Sequence, residues 1–140
     1  MAAASHVPML QAILLCDQLY QDKATNKFVI AGTFTRILAT SFPAQHPVSF
    51  LYFRVVDWAG KSSFRFRLVD LKDASLVGES GPFPIELPES ERLSGHEFGI
   101  RLPQLPLAHE GAYAIELLWG DKDHPLGQWR FEAVSPQEKA

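Results

Sequence analysis

Apolar residues recur at every second position in stretch after stretch of this chain, and a period of two places alternate side chains on one face of a β-strand. Over residues 63–69 the apolar set is Phe64, Phe66 and Leu68, with Arg65 and Arg67 on the opposite face. Residues 97–102 set Phe98, Ile100 and Leu102 against Glu97, Gly99 and Arg101. The pattern returns over 112–119 as Tyr113, Ile115, Leu117 and Trp119, and over 127–134 as Trp129, Phe131 and Ala133 against Gln128, Arg130 and Glu132. Four separate segments therefore read as half-buried strands.

Residues 48–56 are apolar on both faces, as in a central strand covered on each side. Residues 28–38 read as one further strand, with Phe28, Ile30 and Phe34 on one face and Thr33, Thr35 and Ile37 on the other. Residues 9–20 also fit one helical face through Leu10, Ile13 and Leu14, but the turn-rich link Asp22 to Lys27 favours a strand followed by a tight return. Asp57-Trp58-Ala59-Gly60-Lys61 and Trp119-Gly120-Asp121-Lys122-Asp123-His124-Pro125 read as turns. Pro82, Pro84, Pro88, Pro103 and Pro106 read as standing between strands, where a missing N–H does little harm. The expectation is a single all-β domain over residues 1–134, with about eight mainly antiparallel strands and a frayed polar tail over 135–140.

His109-Glu110-Gly111-Ala112-Tyr113 puts a tyrosine two residues after a turn glycine, at the start of an alternating strand. That placement is similar to the tyrosine corner of immunoglobulin-like β-sandwiches, whose phenol closes back onto upstream backbone. The fold expected is such a sandwich, without the inter-sheet cysteine pair of antibody domains. Cys16-Asp17, the turn ending Asn26-Lys27, Gly32-Thr33-Phe34-Thr35-Arg36-Ile37, Phe42-Pro43, His46-Pro47 and Glu110-Gly111-Ala112-Tyr113 together resemble a family of small uncharacterised bacterial proteins, a domain of unknown function. The resemblance runs over almost the whole chain. It implies a stand-alone β-sandwich and brings no catalytic or ligand-binding residue with it.

Composition narrows the partners. Thirteen Lys and Arg against sixteen Asp and Glu leave a formal charge of −3, and the basic residues are scattered. Phosphate neutralisation needs a concentrated positive surface, so nucleic acid is not expected as a partner. Nor is a membrane, since no polybasic tether is present and no apolar run reaches the roughly 18 residues that cross a bilayer. The apolar run Met9 to Cys16 lacks a preceding Lys or Arg and carries Leu15 where a small residue would precede a lipidated cysteine. Cys16 is the only cysteine, so no internal disulfide forms, which suits a reducing compartment such as the cytoplasm.

No catalytic residue is assigned: there is no Gly-x-Ser-x-Gly turn and no cysteine in a protease context. Asp121, Asp123 and His124, with His96-Glu97 or His109-Glu110, lack the spacing of a zinc site, and the Asp-x-Asp lacks the remaining ligands of a calcium loop. No metal or cofactor is expected. If every link returns the chain to the opposite end, links 21–27, 57–61, 88–95 and 120–125 share one end and 39–47, 72–74 and 103–110 the other. Trp58 and Trp119 then border the same end, with Asp57, Asp121, Asp123 and His124 around them, a combination that suits a partner surface or a sugar. The function expected is a non-catalytic module that binds a protein partner or its own copy. A carbohydrate or other small-ligand domain using the Trp58 and Trp119 end is the second reading.

Overall fold

A computed structural model describes residues 7–136. Every regular element of any length among them is a strand: β1 (Met9–Gln21), β2 (Phe28–Thr33), β3 (Arg36–Leu38), β4 (Ala44–His46), β5 (Phe50–Val56), β6 (Gly60–Asp70), β7 (Ser75–Leu87), β8 (His96–Arg101), β9 (Leu105–Leu107), β10 (Gly111–Trp119) and β11 (His124–Val134). A 3-10 turn, Glu89–Glu91, stands between β7 and β8. The strands form three sheets, in the orders β2-β1-β5-β8, β3-β11-β10-β6-β7 and β4-β9. All pairs are antiparallel except β3 with β11. The strand count thus exceeds the expected eight, because β3, β4 and β9 are three residues each and too short to show an alternation.

The alternating residues of both large sheets meet in one core. From the first sheet come Leu15, Leu51, Phe53 and Val55; from the second come Phe64, Phe66, Leu68, Tyr113, Ile115 and Leu117. Phe53 of β5 and Phe64 of β6 touch edge to face across the gap, with centroids 5.1 Å apart. On the outer face of the first sheet Tyr52 is also buried, because the β1–β2 hairpin end reaches over it. Phe28 meets its ring edge-on at 5.7 Å, and Leu19 and Phe28 reach the spot on β8 that Gly99, lacking a side chain, leaves open.

Three expectations need correction. Residues 28–38 are not one strand: Gly32 adopts φ 76°, and beyond it the chain leaves the first sheet for the second. There the Phe34 carbonyl accepts the Trp129 indole N–H at 3.0 Å, and β3 runs parallel to β11. Pro82 and Pro84 lie inside β7, and Pro106 inside β9. Since β7 is an edge strand, a proline there removes no ladder donor that another strand needs. Link 21–27 does not join the other three at their end: β1 is antiparallel to β5 with Cys16 opposite Phe50, so the β1 hairpin emerges where β5 begins. Of the polar tail, Ser135 donates its N–H to the Glu110 carboxylate at 2.7 Å; residues 137–140 lie outside the described residues.

Candidate functional site

Links 57–59, 88–95 and 120–123 do come together. The Asp57 N–H donates to the Arg92 carbonyl at 2.9 Å, and the Arg92 guanidinium stands 3.9 Å from the Asp57 carboxylate. Trp58 and Trp119 meet in a T-shaped contact at 5.2 Å. The two rings share one end of the domain, but they are 4% and 2% exposed. Stacking on a sugar or a partner needs an open ring face, and these faces are spent on the core, Trp119 also stacking on Phe64. The expectation that the two tryptophans border a binding surface is corrected on that ground: they close the core beneath the loops.

The polar residues around them have local roles. Asp123 adopts φ 53° in the β10–β11 hairpin, and its carboxylate lies 2.9 Å from Arg65 and 3.8 Å from Arg67 on the outer face of β6. Asp121 is exposed in the same turn, and His124 is exposed at the start of β11, opposite Trp119 in the register. Among the described residues no group of three or more His, Cys, Asp or Glu side chains is placed to hold a metal ion.

A tighter polar cluster sits where β9 leads into β10. The Tyr113 hydroxyl donates to the His109 carbonyl at 2.7 Å and accepts the His109 N–H at 3.3 Å, closing the phenol onto upstream backbone. The His109 ring completes the set, with Nε2 2.6 Å from the Asp70 carboxylate and Nδ1 2.5 Å from the Glu110 carbonyl. Acceptors on both ring nitrogens favour the imidazolium, so the carbonyl of Glu110 first and Asp70 second hold the His109 pKa above its ordinary value. Asp70 also accepts the Lys72 N–H at 3.0 Å. Beside this cluster opens an apolar cavity of 310 Å³, bordered by Pro43, Val77, Pro106 and Leu107 with Asp70 and Tyr113. Tyr113 is visible in the sequence; Asp70 is not, because its part depends on standing opposite Tyr113 in the β6–β10 register.

The sheet edges differ sharply in protection. Edge strands carry unpaired N–H and C=O groups, and charge, proline, bulges or shortness keep them from pairing with another chain. β7 carries Pro82, Pro84, Glu79 and Glu86; β8 carries Glu97 and Arg101; β3 has three residues. The first half of β1 is broken by a bulge between Leu10 and Ala12 and packs on β11, with Leu10 over Gly127. β2 has none of these devices. Phe28 to Thr33 hold no charge and no proline, and Val29, 46% exposed, lies opposite Tyr20, 54% exposed, on the adjacent strand. The neutrality of 28–33 is legible in the sequence, but its place at an edge is not.

No helix among the described residues is long and apolar enough to cross a membrane. No curated protein matches the chain. Residues 11–131 match DUF6941, a family of unknown function, and since that span is most of the 140 residues the chain belongs to this family.

Proposed function

We propose that this protein is a non-catalytic binding or assembly module that engages a protein partner by adding an extended strand to the open edge of β2. The observation that carries the reading is the contrast among edges: β2 alone among the long edge strands lacks charge and proline, and its Val29 is exposed to solvent beside Tyr20 of β1. Main-chain hydrogen bonds would supply affinity and the two side chains selectivity. The non-catalytic part of the reading rests on the polar cluster at Tyr113, where both imidazole nitrogens of His109 and the phenol oxygen are already engaged by protein groups. A base or nucleophile needs a free lone pair in reach of a substrate.

The scaffold in this proposal is an immunoglobulin-like sandwich working in the cytoplasm. Supporting it, the order β11-β10-β6-β7 parallels the G-F-C-C′ order of variable-type domains, and β1-β5-β8 parallels A-B-E. On that correspondence Tyr113 opens strand F, where a tyrosine corner belongs. The test is the apparent size of the chain in native extract, with and without Val29→Lys. Wild type is expected to elute well above 15.7 kDa and the variant as the free chain. Elution of the wild type as the free chain, or an unchanged profile for the variant, would contradict the proposal.

A further inference from the structure

The geometry points to a second binding site, independent of β2, in the 310 Å³ cavity beside the tyrosine corner: it takes a small neutral alcohol, with the apolar body against the walls and the hydroxyl on Asp70. The cavity lies at the Tyr113 end of β10, opposite the end that Trp119 closes. Three strands wall it. β4 gives Ala44, with Pro43 just before it; β9 gives Pro106 and Leu107; β7 gives Val77. Val77 stands there because the β6–β7 ladder slips: Val69 pairs with Leu76 and Leu68 with Gly78, which leaves Val77 as the extra residue of a bulge. A bulge re-aims the side chain it carries, and this one is half-buried on the cavity wall. The volume lies at the lower end of the range, ~300–1,000 Å³, of pockets that hold small molecules, whose walls are apolar and whose few polar groups give direction.

Asp70 is the directing group, with a side chain only 10% exposed. One of its oxygens accepts the Lys72 N–H at 3.0 Å and the other stands 2.6 Å from His109 Nε2. An ionised carboxylate has about four lone-pair sites, so Asp70 keeps acceptors for a ligand that donates. Charge then selects the donor. His109, favoured as the imidazolium by acceptors on both ring nitrogens, balances the Asp70 charge. An ammonium would lose its hydration in an apolar cavity without an unbalanced counter-ion to meet. A carboxylate ligand would bring acceptors to an acceptor. A hydroxyl donates one hydrogen bond and adds no charge.

The experiment is a titration of the purified chain at about pH 6, below the ordinary histidine value, followed through its methyl NMR signals. Four probes of similar shape are compared: benzyl alcohol, toluene, benzylammonium and benzoate. Benzyl alcohol is expected to move the Ala44, Val77 and Leu107 methyl signals saturably. It should bind about tenfold tighter than toluene, which is the worth of one hydrogen bond to a charged group, and tighter than either ion. Val77→Phe and, separately, Ala44→Leu fill the cavity and should abolish the shifts, with thermal melting to show that each variant folds. No saturable shift with benzyl alcohol, or shifts that persist in a folded filled variant, overturns the site. Toluene, benzylammonium or benzoate binding as tightly as the alcohol overturns the assignment of a neutral donor held by Asp70.

Discussion

At the scale of single residues, the chain's polar chemistry is concentrated at Tyr113. Its hydroxyl joins two backbone groups of His109, so Tyr113→Phe leaves a part-buried carbonyl and N–H without that partner and is expected to cost about 1 kcal/mol in urea unfolding. His109 makes the corner sensitive to pH. Its pKa is raised in the folded state, so its contribution is full below the ordinary histidine value of about 6.5 and is lost as pH rises through the higher folded value. Melting temperatures should accordingly fall from pH 6 towards pH 9 by more in the wild type than in His109→Gln, and equal slopes would rule the imidazolium out as the cause. Cys16 is fully buried, and burial first and Asp17 second push its thiol pKa up. A thiol in that state reacts as a thiolate only when the fold opens, so a colorimetric disulfide reagent should label it at the unfolding rate, and prompt labelling of the native protein would refute this. Of these three residues the sequence shows Tyr113 by its turn glycine and Cys16 as a lone small hydrophobe. His109 is read there only as a metal candidate without the right spacing, because its partner Asp70 is 39 positions away.

At the scale of strands, alternation located β6, β8, β10 and β11 and the doubly apolar run located β5, because one buried face per strand writes itself into every second residue. What alternation does not encode is where a strand changes sheets. Residues 34–35 continue the pattern of 28–33 while the backbone turns from β1 to β11. Nor do prolines announce an edge: Pro82 and Pro84 look like breakers until β7 is seen to have one neighbour. The tryptophans mislead for a related reason, since a loop position in the sequence says nothing of whether the ring turns inward. The β1–β2 hairpin gives a prediction at this scale. Leu19 and Phe28 occupy the space above Gly99 and bury Tyr52, whose pKa burial, with help from Glu97, pushes up to about 12. Gly99→Val should lift the hairpin, cost about 1–3 kcal/mol, and let Tyr52 ionise at lower pH in a spectrophotometric titration. An unchanged tyrosine titration would show that the hairpin does not control that face.

At the scale of the molecule, two large sheets share a core that both Trp58 and Trp119 help to close, and of their four outermost strands three are blunted by proline, charge or brevity. An uncharged, proline-free edge left open in such a molecule is a liability unless a partner strand covers it. The most direct measurement is photo-cross-linking in cells from one exposed position on each edge: Val29 on β2, Leu38 on β3, Glu79 on β7 and Arg101 on β8. A discrete cross-linked species is expected from position 29, lost when Ile30→Lys is added beside it, and none from the other three. A species formed equally from position 79 or 101, or none from position 29, would contradict a partner strand on β2.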